Sequence, residues 1–162
     1  MPRVELGTTR RTSDRVVLFG PTMFHSAITA LNRLPVAIFA TVMAMAGIFA
    51  MSARHTVPVP PGLSAQLTSI LGHFSVYFVL AVALYWMLTF IITPGPARYL
   101  TAWGLAVLYG VTDEWHQSFV PGRTPDVLDI VTDAIGAATG LLLVWLILRM
   151  MPHKRRAAPT HE

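Results

Sequence analysis

The chain has no cysteine. That excludes a disulfide framework, a thiolate metal site and a cysteine nucleophile. Charge is also scarce. Only 12% of the residues are Asp, Glu, Lys or Arg, against about a quarter in an ordinary globular domain. Acids are the scarcest of all, eight in 162 residues. What is abundant is apolar: 54% of the chain is hydrophobic. A water-soluble fold is disfavoured, and a polytopic all-α membrane protein of one domain is expected.

A helix needs about 20 mostly apolar residues to cross a hydrocarbon core. Four segments meet or approach this: 34–51, 70–92, 97–111 with helix continuing to Gln117, and 127–150. Thr93-Pro94-Gly95-Pro96 is a breaker cluster and marks a tight turn between the second and third. A second breaker run, 57–62, separates the first from the second. Residues 19–34 place Met23, Phe24, Ala27, Ile28 and Leu31 on one helical stripe. Two readings stand for them, a short helix lying on the membrane surface and a tail without fixed structure.

The placement of Lys and Arg sets an expected topology. Arg3, Arg10, Arg11, Arg15, Arg33, Arg98, Arg149, Lys154, Arg155 and Arg156 fall on one side of a four-span arrangement. Only Arg54 and Arg123 fall on the other. By the positive-inside rule both termini are cytoplasmic. The organisation is then a basic segment 1–33, a four-helix transmembrane domain 34–150 and a basic tail 151–162. A secretory signal over the first span, cut near Ala50-Met51-Ser52, fits less well, because the preceding segment is long and contains Glu5 and Asp14. Nucleic-acid binding is disfavoured too, since the basic residues lack an interleaved aromatic pattern.

Five of the eight acids lie within one short stretch: Asp113, Glu114, Asp126, Asp129 and Asp133. Apolar spans flank it, and the topology puts it at the outer face. Asp113 and Gln117 are i,i+4 neighbours on the third helix, and Tyr109 lies one turn before Asp113. Val120-Pro121-Gly122-Arg123 breaks that helix. Thr124, Pro125 and Asp126 then have the form of a helix start, with Thr124 as cap and Pro125 in the first helical position. A plain capping role for Asp126 is the competing view. Asp126, Asp129 and Asp133 share one face of the fourth helix, and Gly136 and Gly140 continue it as a close-packing pair. The second span adds His73 and Tyr77, one turn apart.

The candidate polar site is thus His73, Tyr77, Tyr109, Asp113, Glu114, Gln117, Arg123, Asp126, Asp129 and Asp133. A charge at the membrane centre costs roughly 2.5–3.5 kcal/mol on insertion scales, so such residues are functional by default. Asp133 lies deepest and is the candidate for an acid that keeps its proton. Trp115 is expected in an interfacial aromatic belt.

The order Asp113-Glu114-x-x-Gln117-x-Phe119-x-Pro121-Gly122-Arg123-x-x-Asp126-x-x-Asp129, followed by Gly136 and Gly140 and preceded by His73-x-x-x-Tyr77, resembles the signature of the VanZ-like family. The likeness covers residues 34–149. It implies a small bacterial integral membrane protein, related to one associated with teicoplanin resistance. It also implies that Glu114, Gln117, Arg123, Asp126 and Asp129 are shared site residues. The chain departs from the family pattern at Asp133, where Asn is usual, and in its basic N-terminal tail.

These features support a protein that binds or modulates a cell-envelope amphiphile, such as a lipid or lipid-linked wall precursor, in the bacterial inner membrane. Arg123 offers a planar fork suited to phosphate or carboxylate. An intramembrane acid–base enzyme is the alternative, with His73 or Glu114 as base and Asp126 or Asp129 as acid, but no nucleophile motif accompanies them. A metal would use His73, Glu114 and the Asp residues; with no dense His motif present, neither metal nor cofactor is assigned. A channel or transporter would need a homo-oligomer, for which Gly136 and Gly140 offer an interface.

Overall fold

The computed structural model describes residues 21–56 and 58–151, with side chains from Arg33 onward. The expectations for the basic N-terminal segment, the 19–34 stripe and the C-terminal tail fall wholly or in their side chains outside these residues. The fold is four helices: α1 (Pro21–Ser52), α2 (Ala65–Leu88), α3 (Pro96–Gln117) and α4 (Val127–Met150).

The helix ends follow local chemistry. Ser64 caps α2 by accepting a hydrogen bond from the Leu67 amide, so α2 starts five residues earlier than hydropathy alone suggested. It ends at Leu88, and residues 89–92 turn rather than extend the helix. The expected Thr93–Pro96 breaker holds. Gly95 takes φ 155°, and Pro96 opens α3, where its missing N–H costs nothing. α3 runs to Gln117 as expected. Gly122, at φ 83°, permits the turn before α4.

Two boundaries differ from the sequence expectation. α4 is capped by Asp126, whose carboxylate accepts from the Leu128 amide at 2.9 Å. Thr124 is not the cap, and Pro125 precedes the helix. Asp outranks Thr as an N-cap, and Asp126 itself has the extended backbone of a cap residue. α1 is also longer than its apolar core: it runs unbroken from Pro21 past Pro35. The backbone of residues 21–34 therefore belongs to the first helix rather than to a separate short one.

Three helices are long and apolar enough to cross a membrane: Arg33–Ser52 within α1, α2 and α4. α3 carries Arg98, Asp113 and Glu114 in its 22 residues and falls short of that composition. α2 is central, in contact with α1, α3 and α4. Among the described residues α1 and α4 do not touch. The core is a seam of Tyr77, Leu80, Ala81, Leu84, Tyr85 and Leu88 from α2, met by Ile48, Ala102, Ala106, Ala137 and Leu141. Phe39, Leu100, Leu108, Trp115, Val127 and Leu128 lie on the outside, each more than half exposed. An apolar exterior of this extent marks a surface that meets lipid.

The seam between α2 and α4 depends on two glycines. A Cβ at Gly136 would collide with the Phe74 carbonyl, and one at Gly140 would lie 2.7 Å from the Phe78 carbonyl oxygen. Both are buried inside the chain. Their close approach is spent within the bundle, which removes them as an interface between copies. This contact also sets the rotation of α4, so that Asp129 and Asp133 point at α2.

Candidate polar site at one end of the bundle

Antiparallel packing brings the end of α1, the start of α2, the end of α3 and the start of α4 together. Nδ1 of His73 lies 2.9 Å from Oδ1 of Asp133, and Nε2 lies 3.5 Å from Oδ2 of Asp129. One imidazole thus faces two carboxylates of α4, one helical turn apart. Asp133 is fully buried, and the side chains of His73 and Asp129 are 12% and 18% exposed. Glu114 reaches the same place from α3: its carboxylate, His73 and Asp129 each offer a ligand atom, and these lie within 4.8 Å of one another. Glu114 Oε2 accepts a hydrogen bond from the Asp126 amide at 2.8 Å, which ties the end of α3 to the start of α4. Its Oε1 is buried without a partner.

A second cluster forms around Asp113. Its Oδ2 accepts from Ser52 Oγ at 2.8 Å and from Gln117 Nε2 at 3.0 Å. The i,i+4 pairing of Asp113 and Gln117 was legible from spacing. Ser52 was not, because it lies 61 residues away on α1. That bond makes the end of α1 part of the site, at the point where a signal-peptide cut would have removed it.

Between these clusters lies a cavity of about 160 Å³, lined by His73, Tyr77, Asp113, Arg123, Ser52 and Arg54, with Ile48, Met51 and Val76 as apolar wall. Arg123 has a buried Nε without a partner, as does the Tyr77 hydroxyl. The loop after α1 closes against the α3–α4 turn, where His55 Nδ1 lies 3.1 Å from the Pro121 carbonyl. That contact accompanies the placing of Arg54 and Arg123 on the wall of one cavity, an arrangement no spacing rule could show. Among the described residues, the ion pairs found are those of His73 with Asp129 and Asp133. Both arginines line the cavity without an ion-pair partner among the described residues.

Two expected site residues are used elsewhere. The exposed Asp126 carboxylate caps α4, and only its backbone N–H meets the site. Tyr109 points to α1 and donates to the Met45 carbonyl at 2.7 Å. It lines a separate apolar groove with Leu80, Leu84 and Leu105. Trp115 is 69% exposed and packs edge-on against Phe119, as an interfacial aromatic would. His116 lies off the site, stacked on Phe49 at 4.4 Å.

Comparison with known proteins adds three findings. No solved structure matches this chain. An uncharacterized protein of the fission yeast Schizosaccharomyces pombe is 34% identical over 96 residues, covering 59% of this chain and 55% of the yeast protein. The chain thus spans about half the length of that relative, and likeness alone does not fix a bacterial setting. A family model described as VanZ/LLP1 matches residues 15–149, so the pattern reaches further toward the N-terminus than the motif residues suggested. With its ordered motif residues gathered at one end of a membrane-type helical bundle, the chain belongs to the VanZ/LLP1 family.

Proposed function

We propose that this VanZ-like membrane protein binds or modulates a cell-envelope amphiphile, a lipid or lipid-linked wall precursor, through the cavity beside Arg123. One observation carries the proposal. Arg54 and Arg123, the two cations on the side opposite the basic termini, line the same cavity. Two guanidinium groups on the wall of a largely apolar recess fit a phosphate or carboxylate. At about 160 Å³, the recess is smaller than the roughly 300–1,000 Å³ of small-molecule pockets. It suits a headgroup whose apolar tail runs along the bundle's exterior.

In this proposal α3 is the fourth crossing. It is packed against both α2 and α4, and its charged residues Arg98, Asp113 and Glu114 are buried in the bundle. Both termini are cytoplasmic, the cavity opens toward the outer leaflet, and the setting is a bacterial inner membrane. A change in glycopeptide susceptibility belongs to the same proposal through the family likeness. Acid–base chemistry on the amphiphile is the second reading, favoured by the placement of His73 at the cavity wall with Asp133 hydrogen-bonded behind it.

The test is mass spectrometry of molecules retained by the purified full chain, wild type against Arg123→Ala and Arg54→Ala. An anionic amphiphile retained by wild type and depleted in both variants supports binding. Equal retention by all three proteins, or no retained amphiphile, sinks it. A chemically altered product formed by wild type but not by His73→Gln would move the conclusion to the enzyme reading.

A further inference from the structure

The face of His73 that meets α3 and α4 has a different chemistry from the cavity. His73, Glu114 and Asp129 come from three helices, and their ligand atoms lie within 4.8 Å of one another. One imidazole nitrogen and two carboxylates form a common donor set for Zn²⁺ or Mn²⁺. Ligands about 2.0–2.2 Å from a zinc ion require the three side chains to draw in from a spread of up to 4.8 Å, while the 3.5 Å between His73 Nε2 and Asp129 Oδ2 already suits a shared ion.

Two independent observations point to a ligand. Glu114 is only 4% exposed, yet its Oε1 is buried and unpartnered. A buried carboxylate oxygen without a donor is costly, and a cation beside His73 and Asp129 would satisfy it. Asp133 supplies the second. It is fully buried behind the imidazole, with Oδ1 2.9 Å from Nδ1. A histidine that ligates a metal through one nitrogen almost always donates its other N–H to a carboxylate or carbonyl, which fixes the tautomer and aims the free lone pair. With Nδ1 donating to Asp133, the Nε2 lone pair points at Asp129, where an ion would sit. The charge balance agrees. Glu114, Asp129 and Asp133 are gathered here, and among the described residues the only ion pairs formed by them are those of Asp129 and Asp133 with His73, which leaves Glu114 without a basic partner.

We propose that His73 Nε2 and the carboxylates of Glu114 and Asp129 hold a divalent transition-metal ion, with Asp133 as the positioning residue for the imidazole. The site is built on the helix faces behind the cavity and does not rest on the amphiphile proposal.

The test uses the full chain in detergent, stripped with a chelator and titrated separately with Zn²⁺ and Mn²⁺. Elemental analysis is expected to find one ion per chain in wild type. Affinity is expected to fall more than about tenfold in Asp129→Asn, Glu114→Gln and His73→Gln, and about tenfold in Asp133→Asn. Asp126→Asn should bind as wild type does, because that carboxylate serves the helix cap. Wild type that retains neither ion overturns the proposal, as does equal loss in Asp126→Asn and Asp129→Asn, which would mean diffuse attraction to acids. Should the variants fail to fold, Cu²⁺ bound to wild type decides. Its paramagnetic resonance should show one coordinated imidazole nitrogen, and a spectrum without nitrogen coupling overturns the assignment.

Discussion

His73 and Asp133, 60 residues apart in sequence, meet at 2.9 Å in the most buried part of the polar site. Asp and Asn would alike offer an oxygen at this position to a His73 Nδ1–H. One carboxyl oxygen of Asp133 is thus held by the imidazole, while Oδ2 is buried without a partner.

Asp133 is therefore expected to tolerate Asn far better than Ala. Asp133→Asn keeps the acceptor and the shape. Asp133→Ala leaves a buried imidazole N–H unpaired and opens a void, a loss of about 3 kcal/mol or more. Thermal unfolding in detergent measures the difference. Equal melting temperatures for the two variants would contradict this account.

Gly136 and Gly140 hold α4 against α2 by letting it approach the Phe74 and Phe78 carbonyls. Each Gly→Ala change is expected to destabilise by about 1–3 kcal/mol, because the obstructing atoms are backbone and cannot rotate away. A Cβ added at Gly104 on α3 would meet nothing within 4 Å, so Gly104→Ala should be neutral or stabilise by up to about 1 kcal/mol. The opposite order of melting temperatures would show that the α2–α4 seam is not where stability is concentrated.

Asp126 is expected to behave as a cap. Asp126→Ala should cost about 0.5–2 kcal/mol, while Asp126→Asn should cost little, since Asn caps as well as Asp. Hydrogen exchange at the first amides of α4 reports the cap directly. Unchanged protection in Asp126→Ala would return Asp126 to the binding residues.

The lack of cysteine makes the topology simple to test. A single thiol placed at Thr124, in the turn before α4, is expected to react with a membrane-impermeant reagent added to intact cells. One placed at Thr93, in the turn before α3, is expected to react only after lysis. Labelling of Thr93→Cys from outside would invert the orientation.

Much of the frame was legible in the sequence, because helix-forming signals are local. Apolar run lengths marked the helices, and Pro-Gly clusters marked all three of the turns between them. A three- or four-residue repeat put Asp129, Asp133, Gly136 and Gly140 on one face of α4, and the structure uses that face as one unit against α2. Ends were less legible wherever a cap competed with hydropathy. Ser64 extended α2 forward, and Asp126 took the capping position from Thr124.

The partners of the polar groups were decided by tertiary structure alone. Nothing in the spacing of Asp113 names Ser52, and nothing in a count of loop charges brings Arg54 to Arg123. Tyr109 had the right depth for the site, yet it faces α1 and bonds the Met45 carbonyl. The physical reason is rotation. Periodicity fixes which residues share a face of one helix, but the close Gly136 and Gly140 contacts decide which way that face turns. A helix turned by one position would have pointed Asp133 elsewhere. By itself the sequence determined a chain of apolar helices with a costly group of acids at one end. Helix packing determined that one imidazole stands between those acids and that two arginines share the recess beside it.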